Sequence, residues 1–296
     1  MPVDTVNFSD AKKVCEVLYG GAKALHTNPC RVGCSHHLPS TGTVWVSGDL
    51  HDNPFHFLKI IKLAELVNPM NHVVLQELIH STDESGKPDL SFRMLVRVAS
   101  LVIKFPTQVH PILANHELSQ ATNRRITKGG SELVGKFVSG VEYMFGKHAA
   151  KVLGAINAFI NAMPLTAQSD TGLMCSHSLP NETDMQEFDI QILHRELTKK
   201  DTSSMAGSAC MLVWGRSHTD EQIKLLAKEW NTKLFCLGHA WVPNGIEVAT
   251  DNVLLLNSDH SNGVVLPVNL DSIQSAHKTA QKAIALSSVS LDMCEV

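Results

Sequence analysis

The chain has 296 residues, of which 44% are hydrophobic and 18% are charged, so it has enough apolar side chains for a substantial core and is not intrinsically disordered. Its formal net charge of -4 argues against a nucleic-acid-binding surface, for which a basic balance is typical. The longest apolar runs contain Arg97 or Lys104, and the N-terminus lacks the charged and apolar regions of a secretory signal. Seven cysteines, an odd number, do not suit a disulfide framework. These features predict a cytoplasmic protein with no membrane or nucleic-acid partner.

Hydrophobic spacing predicts alternating helices and strands in the first half of the chain, as in parallel βαβ units. Asn53 followed by Pro54 is a typical helix start, because an Asn side chain caps the first turn and proline is tolerated there. The expected elements are a helix over Asp10–Leu25, a Cys- and His-rich loop to Gly42, a strand over Thr43–Ser47, a helix over Asn53–Val67, a strand over His72–Leu75, a helix near Leu90–Lys104 and a strand over Val109–Ala114.

Adjacent strands are more frequent in the second half, which predicts a second sheet packed on the first. The expected elements are one or two helices within Ser131–Ala162, a strand pair over Leu165–Asp170 and Gly172–Cys175, short helices around Gln186–Leu197, a helix from Thr219 to Trp230 opened by a capping box, strands over Leu234–Leu237, Val253–Asn257 and Val264–Val268, and a final helix from Asp271 to about Leu286. No repeat or flexible linker is visible. We therefore expect one α/β domain over residues 1–296, comprising an N-terminal helix and loop (1–42), a core (43–268) and a C-terminal helix and tail (269–296).

Five of the strand-like runs end in a short polar cluster. These clusters are Gly48-Asp49-Leu50-His51, Gln76-Glu77, Asn115-His116-Glu117, Ser176-His177 and Gly238-His239. Five such runs in one chain suggest strands of a single sheet whose carboxyl ends point at one place. Asp, His, Glu and Asn are the ligand types that hold a pair of divalent metals, so the pattern predicts a two-metal hydrolase.

The first two clusters have simpler structural explanations when each is taken alone. Asp49 beside His51 is more often a turn with a surface histidine, and Glu77 also suits a solvent-facing loop position. At a strand end, however, residues i and i+2 can point toward the same cavity, and a carboxylate such as Glu77 can bridge two cations. The metal interpretation therefore depends on the clusters occurring together.

The later clusters add the more specific signal. The carbonyl oxygen of Asn115 suits a hard cation, and His116 beside it is expected to protonate a leaving oxygen as a general acid. His177 and His239 each follow a strand of their own, where a single histidine is usually structural. Two of them, added to the earlier clusters, favour metal ligation.

The order of these clusters resembles that of the calcineurin-like metallophosphoesterases, and especially of their phosphoprotein (serine/threonine) phosphatase branch. Further segments that resemble the family are Asn123-Arg124-Arg125, Phe159–Ala167 with its Met163-Pro164, Leu212-Val213-Trp214 and the strand at Leu254–Asp259. The similarity spans roughly residues 43 to 268 and is specific as an ordered set.

The resemblance implies a metallophosphatase-type α/β fold, a two-sheet β-sandwich flanked by helices in α/β/β/α layers. It implies a metal-dependent phosphoric ester hydrolase, a phosphomonoesterase in which a metal-bound hydroxide attacks phosphorus. The implied cofactors are two divalent ions (Mn, Fe or Zn), and the implied substrate is a phosphopeptide or a small phosphate ester. Carried over by position, Asp49, His51 and Glu77 hold the first metal, Asn115, His177 and His239 hold the second, Glu77 bridges the two and His116 assists the leaving alkoxide.

The segment Gln76–Ser81 departs from the family's Gly-Asp-x-x-Asp-Arg-Gly. Glu77 replaces the bridging Asp, His80 replaces the Asp that orients the catalytic His, and Ser81 replaces the arginine that clamps phosphate. Because serine cannot reproduce the bidentate hydrogen bonds of arginine, another cation must bind the phosphate. The candidates are Arg216, Arg124 and Arg125.

Two other functions stay open at this point, namely a catalytically impaired metal- or ligand-binding module and a nucleotide diesterase or pyrophosphohydrolase. The altered segment supports the first, and the missing arginine weakens the phosphoprotein assignment without selecting the second. A zinc site formed by Cys30, Cys34, His36 and His37 is disfavoured because the spacing is not that of a zinc finger and no second ligand pair lies nearby.

Overall fold

The structure, a computed structural model, describes residues 6–81, 87–128 and 131–291. Within these ranges the strands are β1 (Arg31–Val32), β2 (Ser35–Leu38), β3 (Thr43–Asp49), β4 (Asn71–Gln76), β5 (Val109–Pro111), β6 (Thr127–Lys128), β7 (Ser131–Glu132), β8 (Thr166–Ser169), β9 (Leu173–Ser176), β10 (Leu234–Leu237), β11 (Ile246–Thr250), β12 (Val253–Leu256), β13 (Val264–Asn269) and β14 (Ile284–Ala285).

The α-helices in the same ranges are α1 (Ala11–His26), α2 (Pro54–Ala64), α3 (Phe92–Lys104), α4 (Asn115–Thr122), α5 (Leu133–Phe145), α6 (Ala149–Ala162), α7 (Lys199–Ser203), α8 (Ser208–Trp214), α9 (Asp220–Glu229) and α10 (Ala276–Ala280). Short 3₁₀ helices lie at Gly146–His148, Glu182–Asp184, Ile192–His194 and Leu286–Ser288. None of the helices in the described part of the chain is long and apolar enough to cross a bilayer.

The strands of the described ranges form two mixed sheets, beside a separate pair made of β6 and β7. The order in the larger sheet is β1-β2-β8-β9-β10-β12-β11, and the order in the smaller sheet is β14-β13-β3-β4-β5. Strands β3, β4 and β5 are parallel to one another, and so are β9, β10 and β12. The predicted architecture of two sheets flanked by helices is confirmed.

Side chains along each strand alternate between two hydrophobic clusters. Val46 of β3, Val74 of β4 and Cys236 of β10 belong to a cluster shared by the two sheets. Their neighbours Leu75 and Phe235 belong instead to the cluster that contains the helical core residues. Because successive residues of a strand point to opposite faces, both faces of the sheets are buried, and the strands read as continuous apolar runs in the sequence.

Three predicted helix starts are confirmed by side-chain caps, each of which contributes about 1 kcal/mol. The caps are Asp10, which accepts from the backbone N–H groups of Lys12 and Lys13, Asn53, which accepts from that of His56, and Thr219, which accepts from that of Gln222.

Three local predictions were wrong. The segment expected to be a loop before Gly42 contains β1 and β2, and β2 pairs in parallel with β8. The strand β11 was missed, and the final helix from Asp271 to Leu286 is reduced to α10 because Ile284–Ala285 pairs with β13 instead. For β2 and β14 the pairing partner is not adjacent in the sequence, and tertiary pairing overrides local propensity. The strand β11 instead forms a hairpin with the strand that follows it, β12.

The carboxyl ends of β3 and β12 meet directly, although the strands belong to different sheets. Asp49 forms an isolated parallel bridge with Asn257, and its carbonyl oxygen accepts a hydrogen bond from the Ser258 N–H at 3.0 Å. The Gly48 N–H donates to Ser258 Oγ at 2.9 Å. A Cβ atom at Gly48 would overlap the carbonyl group of Leu256, so this contact requires glycine.

Gly48→Ala is therefore expected to lower the free energy of unfolding by about 3 kcal/mol, because the added methyl group must push the two sheets apart. The matched control is Gly154→Ala in α6, where a Cβ atom would meet only Tyr19 Oη at an ordinary 3.7 Å. That change is expected to be neutral or to stabilise by about 0.5–1 kcal/mol, since glycine is unfavourable inside a helix. Urea unfolding of both variants checks the prediction, and equal stabilities would contradict it.

Three buried histidines form a hydrogen-bonded chain that connects β2, β5 and β4. The Nδ1 atoms of His36 and His110 are 3.1 Å apart, and His110 Nε2 is 3.3 Å from His72 Nδ1. Burial, with a smaller contribution from Arg31 and His37, lowers the pKa of His36 to about 3. Burial also lowers the pKa of His72 and His110, so all three rings are neutral in the folded protein at pH 7.

Stability should fall as the pH falls below about 6.5, because the unfolded chain then binds protons that the buried rings exclude. For His36 the loss is about 1.4 kcal/mol per pH unit between the unfolded pKa near 6.5 and the folded pKa near 3. Replacement of His36 by Gln is expected to reduce this slope by that amount, whereas replacement of the exposed His277 leaves it unchanged. Denaturant unfolding at pH 7.5, 6.5 and 5.5 measures the slopes, and identical slopes in all three proteins would refute the assignment.

Candidate active site

The structure brings the predicted ligands together at the carboxyl ends of the parallel strands. Asp49 ends β3 and His51 follows it, Glu77 follows β4, Asn115 and His116 open α4 after β5, and His177 and His239 follow β9 and β10. Each of these residues is at most 6% exposed. Six of them line one cavity of about 210 Å³, and His177 lies buried behind its wall.

The loops after β3 and β4 hold each other in place. The Glu77 carbonyl oxygen accepts hydrogen bonds from the N–H groups of Leu50 at 3.0 Å and His51 at 2.8 Å. His51 and Glu77 have left-handed φ angles of 40° and 47°, and His80 and His239 both have 63°. Such conformations cost about 1–3 kcal/mol each outside glycine and concentrate at functional sites.

Glu117, which the sequence analysis did not single out, connects α4 to the loop after β4. Its Oε1 accepts hydrogen bonds from the N–H groups of Leu78 at 2.7 Å and Ile79 at 3.1 Å. Burial raises the pKa of Glu117 to about 7. The available signal was its place directly after Asn115-His116, at the start of a helix whose first turn points into the site.

Gln76 fixes the tautomer of His177. The Gln76 amide group donates to the Ser47 carbonyl oxygen at 2.9 Å, which turns its Oε1 toward His177 Nδ1, 2.9 Å away. Burial lowers the pKa of His177 well below its usual range, so the ring is neutral and has one N–H. The two atoms that face the ring nitrogens, Gln76 Oε1 and Asn115 Oδ1, are both acceptors, and Asn115 Oδ1 lies 2.7 Å from Nε2. We place the proton on Nδ1 because the Gln76 amide is the one anchored from behind, by the Ser47 carbonyl oxygen. Nε2 and Asn115 Oδ1 then lie side by side, as two ligands of one cation do.

His239 completes this group. Its Nε2 is buried without a hydrogen-bond partner in the described part of the chain, so its hydrogen bond to the Trp214 backbone uses Nδ1. Ligand atoms of Glu77, His177 and His239 lie within 4.8 Å of one another. Burial, with Arg216 nearby, lowers the pKa of His239 to about 3 and keeps the ring neutral, the form that binds metals. These donors fit a divalent cation.

A second group lies at the Glu77 carboxylate and includes His51 and His116. His51 Nδ1 donates to the Ile79 carbonyl oxygen at 3.2 Å, and its Nε2 lies 3.4 Å from Glu77 Oε2. His116 Nε2 is 3.4 Å from Glu77 Oε1. Ligand atoms of these three residues also lie within 4.8 Å of one another.

Asp49, at the end of β3 in the smaller sheet, contacts residues that follow two strands of the larger sheet. Its Oδ1 accepts a hydrogen bond from the His239 N–H at 3.0 Å, and its Oδ2 is 3.5 Å from Asn257 Nδ2. A Cβ atom at residue 238 would overlap Asp49 Oδ1, which explains the glycine before His239. Among the described residues, Asp49 stands outside both groups of mutually close ligand atoms.

His80 occupies the position where the resemblance expects a carboxylate. Its Nδ1 is 2.9 Å from His116 Nδ1, and its Nε2 is 3.1 Å from Gln120 Oε1. Burial lowers the pKa of His80, and the ring also packs edge-on against Phe137 at a centroid distance of 5.7 Å. The orienting partner of His116 is thus a neutral imidazole.

The three candidate arginines differ in where their side chains lie relative to the cavity. Arg216 lines the cavity, and its Nη1 donates to the His239 carbonyl oxygen at 3.1 Å. The Arg124 guanidinium instead contacts Cys210 Sγ at 3.2 Å, away from the cavity. Arg125 is exposed to solvent and is not among the described residues that line the cavity.

Sequence reasoning missed several cavity-lining residues. They include Trp214, Trp241, Asn257 and Asp259. Trp241 is 68% exposed, and its ring lies 5.9 Å from that of His260. Trp214, Asn257 and Asp259 lie in segments that resemble the family, but no separate feature of the sequence places them at the cavity. The signal for Trp241 was its position just after β10.

No protein-family profile and no curated protein matches the sequence. The structure is similar to a protein serine/threonine phosphatase from Saccharomyces cerevisiae, with 12% identity and a TM-score of 0.64 over 88% of this chain and 83% of that chain. It is also similar to a cold-active protein tyrosine phosphatase from a psychrophilic Shewanella species, with 12% identity and a TM-score of 0.58 over 84% and 80% of the two chains. A second structure of a cold-active protein tyrosine phosphatase gives 11% identity and a TM-score of 0.57 over 86% and 82%.

The chain has a metallophosphatase fold. The predicted resemblance to the calcineurin-like metallophosphoesterases is confirmed at the level of the fold, over most of the chain and of the compared structures.

Gln76→Leu is expected to weaken the binding of one Mn²⁺ ion by about 10–100-fold, because the His177 ring loses the acceptor that sets its orientation and tautomer. Gln168→Leu is the matched control, since Gln168 also hydrogen-bonds a histidine, His37, but outside the site. Calorimetric titration of chelator-treated protein with Mn²⁺ measures both affinities. Equal affinities in the two variants would show that Gln76 does not position a ligand.

Proposed function

We propose that this protein is a metal-dependent hydrolase of phosphate monoesters. The observation that carries the proposal is the convergence of metal-ligand side chains on one cavity at the carboxyl ends of the parallel strands. Ligand atoms of His51, Glu77 and His116 lie within 4.8 Å of one another, and so do those of Glu77, His177 and His239, so that Glu77 is common to both groups. Two adjoining groups of nitrogen and oxygen donors that share a carboxylate suit a pair of divalent cations.

Asn115, His177, His239 and Glu77 would hold one divalent ion, and Glu77 with His51 would contribute to the other. The nitrogen and oxygen donors suit Mn, Fe or Zn. When bound, such ions would activate water at neutral pH and neutralise charge on phosphoryl oxygens.

Arg216 is the residue we assign to phosphate binding. Its guanidinium is positioned at the cavity by the His239 carbonyl oxygen, at 3.1 Å, which leaves other N–H groups of the fork for phosphoryl oxygens. In this assignment Arg216 takes over the function of the arginine that Ser81 replaces. Trp214 and Trp241 provide an aromatic wall beside it for the rest of the substrate.

The names of the similar structures support a monoester of a phosphorylated protein or peptide as the substrate class. One is named as a serine/threonine phosphatase and the other as a tyrosine phosphatase. Because both activities occur on this fold, we propose a phosphopeptide or small phosphate ester and leave the phosphorylated residue to the experiment.

The expected result for purified protein is about two metal ions per chain and turnover of p-nitrophenyl phosphate that chelation removes and Mn²⁺ restores. Arg216→Ala should lower kcat/KM by about 10–100-fold, the usual effect of losing a hydrogen bond to a charged group. Arg124→Ala is the matched control and should retain activity, because the Arg124 guanidinium contacts Cys210 rather than the cavity.

Rates on phosphoserine, phosphothreonine and phosphotyrosine peptides, on bis-p-nitrophenyl phosphate and on dinucleoside polyphosphates separate the candidate functions. Higher kcat/KM on the monoesters supports the proposal. Higher kcat/KM on the diester or the polyphosphates would replace it with the nucleotide hydrolase interpretation. Two bound metals without turnover of any of these esters would favour the binding module.

A further inference from the structure

We propose that His116 binds a divalent ion through Nε2, together with His51 and Glu77. The inference rests on the proposed function for the presence of metals at this site. It differs from the resemblance, which gives His116 the protonation of the leaving oxygen and places Asp49 on the first metal.

The first observation is the position of the Glu77 carboxylate between two imidazoles. Glu77 Oε2 is 3.4 Å from His51 Nε2, and Glu77 Oε1 is 3.4 Å from His116 Nε2. The same Oε1 is 3.8 Å from His177 Nε2. Two nitrogen donors and a carboxylate oxygen within 4.8 Å of one another form one face of a coordination shell. Asp49 is outside this group, and its Oδ1 is instead bonded to the His239 N–H.

The second observation is the hydrogen-bond chain behind the His116 ring. Gln120 Oε1 lies 3.1 Å from His80 Nε2, and His80 Nδ1 lies 2.9 Å from His116 Nδ1. This chain holds the outer edge of the His116 ring at Nδ1, so Nε2 is the ring nitrogen on the side of Glu77 and the cavity. A histidine held at one nitrogen by an outer partner, with the other nitrogen turned toward the site, has the arrangement of a metal ligand.

The third observation is the chemical character of the residue behind His116. A carboxylate at position 80 would stabilise an imidazolium, the form that a proton donor needs. The His80 imidazole provides no negative charge in either protonation state, so it does not stabilise an imidazolium at His116. Glu77, one methylene longer than the Asp that the resemblance expects, reaches the same ring. The two departures from the expected motif, at positions 77 and 80, therefore both favour metal binding by His116 over proton donation.

Metal binding by chelator-treated protein tests the inference without recourse to activity. We expect the wild-type chain to bind two Mn²⁺ ions in a calorimetric titration, and His116→Ala to lose one of them or to bind it at least about 10-fold more weakly. His218→Ala is the matched control, because His218 is also partly buried and hydrogen-bonds the Leu179 carbonyl oxygen outside both ligand groups. It should retain both ions, and circular dichroism establishes that each variant is folded.

A second variant gives a positive signal. In His116→Cys loaded with Co²⁺, a thiolate ligand at position 116 would produce a sulfur-to-metal charge-transfer band in the near ultraviolet, measured against Co²⁺-loaded wild-type protein to subtract the native cysteines. The appearance of this band supports ligation. Its absence from a protein that binds two Co²⁺ ions would overturn the inference.

The outcomes also separate the inference from the proposed function. If His116→Ala binds both ions with wild-type affinity but loses turnover, His116 is a proton donor, the inference fails and the phosphatase proposal stands. If binding depends on His116 but the wild-type protein hydrolyses no phosphate ester, the ligand assignment stands and the phosphatase proposal fails. If the wild-type protein binds no divalent ion, both fail.

Discussion

The contact between β3 of one sheet and β12 of the other determines where the functional side chains lie. At Gly48 the two backbones approach so closely that a methyl group would overlap the Leu256 carbonyl, and Asp49 bonds to the first residues beyond β12. The carboxyl ends of two separate parallel arrays thus open into a single cavity. Ligands from the smaller sheet, such as Glu77, meet ligands from the larger sheet, such as His177, because of this junction.

Burial of so many polar groups is tolerated because the outer side of each ring has a partner. His177 donates outward to Gln76, His51 to the Ile79 carbonyl and His239 to the backbone of Trp214. Buried donors without acceptors would each cost about 1–3 kcal/mol. With the outer ring nitrogens held in this way, the other ring nitrogens lie beside the Glu77 carboxylate in two groups of close ligand atoms. This arrangement supports the proposed metal binding, because imidazole nitrogens and a carboxylate oxygen are donors that divalent ions take.

The meeting of the ligands at one place could be anticipated from the sequence, because a strand that ends in a polar cluster is a local pattern. The expectation that the five strands belong to a single sheet was wrong, since β3, β4 and β5 lie in the smaller sheet and β9 and β10 in the larger one. The two-sheet architecture could also be predicted from the strand-like apolar runs, because their residues face two hydrophobic cores. Contacts that join distant segments were not accessible in this way. Gln76 looked like a strand terminus, and its function depends on Ser47 and on His177, which is 101 residues away. Arg124 lies beside the predicted ligands in the sequence, but its side chain turns toward Cys210 because tertiary packing sets its direction.

The hydrogen-bond partners of the altered segment Gln76–Ser81 indicate whether the site keeps an ordered arrangement. Random replacements in a buried polar site would leave donors and acceptors without partners, and each would destabilise the fold. Here Gln76 is bonded at both ends of its amide, Glu77 lies between histidine rings, and His80 connects His116 to Gln120. The replacements complement one another and leave the site organised around inward-facing ligand atoms. That mutual fit supports the proposed metal centre over a degraded site, since each ring nitrogen of His80 has a partner at hydrogen-bond distance.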